Sequence, residues 1–360
     1  MEVIVPEYID SLRQSVISAE LGNYTGKEYT RFIHASHYLY TKFIAPFHDK
    51  LKNKSIILIP DSKAGYIPFD ALITTKPTAG RMDYRNLSYL IHTNTISYSY
   101  SSTLLFEKET KPISLKKIRL LAFAPDYTLL QNTPVKDTLL HTLMPIPGAR
   151  EEVEGICTLY NCVALTEEMA TEHNFKQKAP DYDILHLAMH TLIDEENPAY
   201  SRIIFSPTKQ DSTSDGLLFT SELFTLSLNA RMAVLSACQT GEGKIREGEG
   251  ILSLARGFFY AGVPSVIMTL WPVDDISSAT IINAFYRQLK KGHRKDKALR
   301  QAKLDFLAAS DPVKSHPRFW SGYISIGDQN PVVAPLWAIG YLALALLAAG
   351  SLGWFLLRKK

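Results

Sequence analysis

Ala233-Val234-Leu235-Ser236-Ala237-Cys238-Gln239-Thr240-Gly241 is the stretch on which the reading of this chain turns. Its first five residues are apolar or small, the composition of a buried strand. That strand delivers one cysteine and then gives way to a loop holding Gly241, Gly243, Gly248 and Gly250. Upstream, Leu185-His186-Leu187-Ala188-Met189-His190 has the same build and ends on a histidine. One cysteine and one histidine, each at the mouth of a buried strand, are the minimum for a cysteine nucleophile with its base.

The surrounding pattern places both strands in one kind of fold. Short apolar runs at 55–60, 118–124, 184–189, 202–205, 233–237, 265–270 and 323–326 read as strands. Helical spacing occupies the first fifty or so residues, then 151–159, 251–261, 277–290 and 297–309. Apolar strands alternating with helices predict an α/β fold with a mostly parallel sheet flanked by helices. Functional groups in such sheets gather beyond the C-terminal ends of the strands. His190 and Cys238 both stand there.

Bulk composition narrows the function. With 360 residues and 46% hydrophobic content, the chain can bury a large core. The 39 basic and 36 acidic residues nearly cancel, so nothing in the charge proposes nucleic acid as a partner. Three cysteines do not make a disulfide scaffold. Cys157 and Cys162 stand close enough in sequence to pair, but small buried thiols are the expected reading for both. The start of the chain has no basic, apolar leader. By contrast, residues 332–357 carry no charge and precede Arg358-Lys359-Lys360. That run exceeds the ~20 residues that span a bilayer as a helix. Trp337, Tyr341 and Trp354 sit near its ends as an aromatic belt would. The expectation is a single C-terminal transmembrane helix and a membrane location. The terminal basic cluster argues for a cytoplasmic C-terminus with the main domain outside, whereas a tail-anchored chain would keep the domain in the cytoplasm.

The chemistry of a thiol nucleophile assigns the roles. Cysteine attacks as thiolate, and a neighbouring imidazole takes the proton. The oxyanion formed on the substrate carbonyl needs fixed donors, for which the backbone amides of Cys238 and Thr191 are candidates. His186 and His190 share one face of their strand, being four residues apart. His186 lies inside the apolar run and reads as a core histidine, so His190 at the strand end is the expected base. The ordinary reading of a lone cysteine at a strand end is a small buried residue. No Gly-Lys-Ser/Thr follows the glycines, which removes a phosphate-cradling loop. A zinc site from His186, His190 and Cys238 lacks a fourth ligand with convincing spacing, so no metal is expected.

His190 also precedes Cys238 by the roughly 50 residues that separate the two in the caspase-type signature. Ordered matches extend this likeness. They include Ile59-Pro60-Asp61, Ile67-Pro68-Phe69-Asp70-Ala71-Leu72, Pro147-Gly148-Ala149-Arg150-Glu151-Glu152-Val153 and Asp215-Gly216-Leu217-Leu218. They continue through Gly248-Glu249-Gly250, Ala261-Gly262-Val263-Pro264, Leu270-Trp271-Pro272-Val273-Asp274-Asp275, His316-Pro317 with Trp320, and Gly327-Asp328. Through these residues the chain resembles the CHAT family, caspase-like domains often joined to tetratricopeptide repeats.

The resemblance implies a caspase/separase-like α/β fold and cysteine endopeptidase activity without a cofactor, with His190 as base and Cys238 as nucleophile. It implies a non-catalytic half over residues 1–150 and a catalytic half over 151–328. Asp274 and Asp275 would bind a basic side chain of a protein or peptide substrate, although capping of the helix that follows is expected for at least one of them. An activating protein of the tetratricopeptide-repeat type, and a role in regulation or bacterial defence, are further implications. Thr191 stands where the family usually has glycine. A Cβ there is expected to restrict the backbone offering an oxyanion amide, which keeps open a catalytically weak scaffold that binds protein partners.

Overall fold

The computed structural model of the chain describes residues 4–17, 25–78, 82–107, 117–128, 140, 143–194, 196–207, 215–236 and 250–334. Two helices, α1 (Ile4–Ile17) and α2 (Gly26–Phe43), open the chain and pack together. A reciprocal cap starts α2: the Thr25 hydroxyl accepts the Glu28 N–H, and the Glu28 carboxylate accepts the Thr25 N–H. The short α3 (His48–Leu51) leads to β1 (Ser55–Leu58), β2 (Ile73–Thr75), β3 (Ser88–Tyr89) and β4 (Thr95–Tyr98). After α4 (Ser102–Glu107) and β5 (Arg119–Ala124) come α5 (Pro147–Cys157), β6 (Asn161–Thr166), α6 (Glu172–Lys178) and β7 (Ile184–Ala188). The chain then forms β8 (Thr191–Leu192), β9 (Arg202–Ile204), β10 (Leu217–Phe219), α7 (Thr220–Leu223) and β11 (Met232–Ser236). It closes with α8 (Gly250–Tyr260), β12 (Ser265–Thr269), α9 (Asp275–Lys290), α10 (Lys295–Ala309) and β13 (Tyr323–Gly327).

Eight strands make the central sheet, in the order β1-β4-β13-β12-β11-β7-β5-β6. Every neighbouring pair is parallel except β12 with β13. All five residues of β7, β11 and β12 are buried, as continuous apolar runs in a covered parallel sheet must be. α5 lies against β5, β6 and β7, α8 against β12, and α10 against β4 and β13. The expected α/β architecture with a mostly parallel, helix-flanked sheet is therefore the observed one. Strands from the first 150 residues, β1, β4 and β5, share this sheet with strands from the rest, and residue 150 falls inside α5.

Three particulars bear on the sequence reading. Cys157 and Cys162 are joined as a disulfide rather than held as separate buried thiols. The turn between α5 and β6 brings their Cα atoms to 5.0 Å, inside the range a disulfide bridges. Second, among the described residues no helix is long and apolar enough to cross a membrane. The expected span lies outside the described residues from 335 onward, and its first residue, Val332, is buried in the domain core instead. Third, β4 and β6 went unanticipated. Asn161, Val163 and Ala164 of β6 are exposed because that strand forms the sheet edge, so no clean apolar run marks it.

One buried ion pair ties the two ends of the chain together. Lys303 on α10 is fully buried, and its ammonium donates to the Asp70 carboxylate and to the Tyr323 carbonyl on β13. Nearby, the Arg300 guanidinium donates to the carbonyls of Ile91 (2.7 Å), His92 (2.7 Å) and Asn94 (3.1 Å). The segment leading into β4 is thus held by α10 through charge-assisted hydrogen bonds.

Candidate active site

The register of the central strands sets the site. β7 and β11 pair in parallel with Ala188 opposite Ser236, and the Met189 N–H donates to the Ser236 carbonyl at 3.1 Å. His190 and Cys238 each come two residues after this pair. Cys238, with Gln239 and the glycine loop, lies outside the described residues. What is described is therefore His190, the expected base, with its supports, and the strand that leads toward Cys238.

His190 is only 2% exposed and held from several sides. Its N–H donates to the Tyr127 hydroxyl at 2.9 Å, and that hydroxyl donates to the Ile204 carbonyl on β9 at 2.8 Å. Ile204 in turn donates its N–H to the His190 carbonyl at 3.0 Å. The Tyr127 ring lies against the imidazole, with centroids 4.5 Å apart. Nε2 of His190 is 2.6 Å from the Met144 carbonyl oxygen. A carbonyl only accepts, so Nε2 carries the proton and Nδ1 is left with its basic lone pair. Nδ1 has no hydrogen-bond partner among the described residues. Burial pushes the imidazole below its usual range, offset in part by the Met144 contact. A neutral histidine with a fixed tautomer and an Nδ1 that lacks a partner among the described residues has the chemistry to take a proton.

Sequence reading missed Met144 and Tyr127. The Met144 side chain is exposed, while Leu143 before it is buried and fixes the segment that presents the carbonyl. A backbone carbonyl leaves no side-chain signature. Tyr127 does leave a faint one, as an aromatic residue three positions past the end of β5.

His186 is the core histidine expected, with a close approach to Glu152 that falls outside hydrogen-bond geometry. It is fully buried, with Nε2 3.0 Å from the Glu152 carboxylate and Nδ1 3.3 Å from the Tyr286 hydroxyl. Glu152 also accepts from Ser278 at 3.0 Å, and Ser278, Ser236 and Tyr323 share hydroxyl contacts of 2.6–3.0 Å. This network joins α5, α9 and β13 to the end of β11. Buried polar groups that satisfy one another in this way rigidify what they touch, here the approach to position 238.

Thr191 belongs to β8, where it pairs opposite Ile203, and it is not among the residues with positive φ. Its Cβ therefore brings no conformational strain, contrary to the restriction expected for a replaced glycine. Asp274 caps α9, its carboxylate accepting from the Ser277 N–H at 3.0 Å and the Ser277 hydroxyl at 2.8 Å. Asp275 is half-buried against the start of α5, where the Gly148 N–H bonds to it. Burial first, then the charges of Asp274 and Glu152, raise its pKa. A Cβ at Gly148 would come within 2.8 Å of the Asp275 Cβ, so that approach depends on glycine. Among the described residues no three His, Cys, Asp or Glu side chains form a metal-ligand set.

The chain is 29% identical over 226 residues to tetratricopeptide repeat protein 28 of Mus musculus and to that of Homo sapiens. The match covers 54% of this chain and 9% of either relative, so the chain spans a small part of their length. Among solved structures, gingipain R, titled an Arg-specific cysteine proteinase, aligns with a TM-score of 0.46 at 10% identity, covering 92% of this chain and 76% of that one. The Saccharomyces cerevisiae separase–securin complex aligns at 0.45 and 10% identity, over 75% of this chain and 15% of that one. The family model described as the CHAT domain matches residues 34–328, and the chain belongs to that family.

Proposed function

We propose that the protein is a cysteine endopeptidase in which Cys238 attacks a peptide carbonyl and His190 Nδ1 takes the thiol proton. The observation that carries this reading is the His190 imidazole: neutral, fixed through Nε2 by the Met144 carbonyl, with Nδ1 buried and without a hydrogen-bond partner among the described residues. In the proposed cycle the thiolate adds to the carbonyl carbon and the oxyanion is held by the amides of Cys238 and Thr191. His190 then returns the proton to the leaving amine, and water hydrolyses the acyl-enzyme by the same base. No cofactor takes part in these steps. Asp275 is the acid proposed to draw a basic side chain into the site, since the carboxylate of Asp274 is engaged in its own helix cap. A tetratricopeptide-repeat protein is the proposed class of activator.

Digestion of a peptide library by the full chain tests this reading. Cleavage after Arg or Lys is expected, and cleavage with no basic preference counts against the role of Asp275. The sign of the pH dependence follows from His190. Its neutral form is the base, and burial lowers its pKa, so kcat/KM is expected to fall only below the ~6.5 of an ordinary histidine. An acid limb above that value contradicts the assignment.

Partner binding without catalysis is the second reading, and the burial of His190 to 2% exposure favours it. The proposal also takes the apolar run 335–357 as a membrane anchor. Fractionation of cells making the full chain is expected to recover it with membranes; recovery in the soluble fraction refutes the anchor.

A further inference from the structure

Away from His190, a groove of about 980 Å³ opens along α9 and α10. On α9 it follows Thr280, Ala284, Arg287 and Lys291, a single stripe of the helix. On α10 it follows Ala302, Asp305, Phe306 and Ala309, again spaced as one face. Two helical stripes lying side by side leave the kind of furrow into which a third helix packs. The apolar lining is three alanines with Phe306 and Leu159, and the small residues admit a close approach of another helix.

The charges at the rim say what kind of helix fits. Arg287, Lys290, Lys291 and Lys314 line the groove against two acids, Asp305 and Asp311. Both acids are already engaged: Asp305 accepts the Gln301 amide at 2.7 Å, and Asp311 accepts the Lys314 N–H at 2.8 Å within its turn. Arg287 and Lys290 lie in the last turn of α9, where cations offset the helix dipole. That accounts for their place on the helix. It does not account for their gathering, with Lys291 and Lys314, around an open apolar floor.

We propose that this groove docks an amphipathic helix with acidic flanks, belonging to a protein partner. The apolar stripe of that helix would rest on Ala284, Ala302, Phe306 and Ala309, and its carboxylates would meet the four cations. The stripe on α9 runs from Thr280 to Lys291, so the docked segment is about three turns long. Nothing in this proposal depends on Cys238 or His190, so it stands or falls apart from the peptidase reading.

The test uses the full chain and two fluorescent helical peptides with the same leucine stripe, one flanked by Glu and one by Lys. The Glu peptide is expected to bind, with affinity falling as ionic strength rises. The Lys peptide should bind at least about tenfold more weakly. Lys290→Glu with Lys291→Glu, both at exposed positions, should weaken the Glu peptide about tenfold while the protein stays folded, with melting lowered only by the few degrees that two acids at the C-terminus of α9 cost. Binding by neither peptide, equal binding by both, or indifference to the double substitution overturns the proposal. So does self-association of the chain that the same substitution abolishes while neither peptide binds, because the occupant is then a second copy.

Discussion

His190→Ala is expected to lower peptidase kcat by about ten-thousand-fold or more, the scale on which removal of a general base acts in nucleophilic hydrolases. Cys238→Ala should do the same. Residues that act as one unit are grossly non-additive, so the double substitution should be no worse than either single one. His186→Ala separates chemistry from structure. Its ring contacts Glu152 and Tyr286 and is fully buried, so its loss should first lower stability. Turnover measured on folded protein decides the matter. Equal activity of wild type and His190→Ala removes histidine from the mechanism.

Asp70→Ala is expected to destabilise the fold by about 3–5 kcal/mol, the cost of stranding one member of a buried ion pair. The Lys303 ammonium would keep the Tyr323 carbonyl as its one hydrogen-bond partner among the described residues, in a site without solvent exposure. Replacing both residues, Asp70→Ala with Lys303→Met, should recover most of the loss, because an apolar pair carries no desolvation cost. Urea unfolding of the three proteins gives the measurement. A loss below about 1 kcal/mol for Asp70→Ala would mean that water reaches Lys303 and that the pair behaves as a surface bridge.

How much of this was legible in the sequence depends on which signal each element leaves. β7, β11 and β12 were readable because strands covered on both faces are mostly apolar, each holding at least three apolar residues in five. β6 was not, since its edge position leaves half its residues in solvent. β4, Thr95-Ile96-Ser97-Tyr98, is fully buried yet carries three hydroxyl residues, and composition alone hid it. His190 was legible from its place at a strand end. The atom that orients it, the Met144 carbonyl, belongs to the backbone and could be found only from coordinates. Asp274 and Asp275 looked alike in sequence, and the structure separates them: one caps its own helix, the other meets the start of α5. The disulfide depended on how tightly the turn after α5 reverses, which the spacing of Cys157 and Cys162 leaves open.

The central claim is that Cys238 is a nucleophile activated by His190. The disulfide removes Cys157 and Cys162 from competition, leaving Cys238 as the remaining one of three cysteines. The direct measurement is the rate at which a peptide-based, thiol-directed electrophile labels Cys238 in the full chain, with the labelled residue located by mass spectrometry. Labelling at pH 6, where an ordinary thiol is almost fully protonated, is expected to be at least about a hundredfold faster in wild type than in His190→Ala. Equal rates in the two proteins would contradict the account.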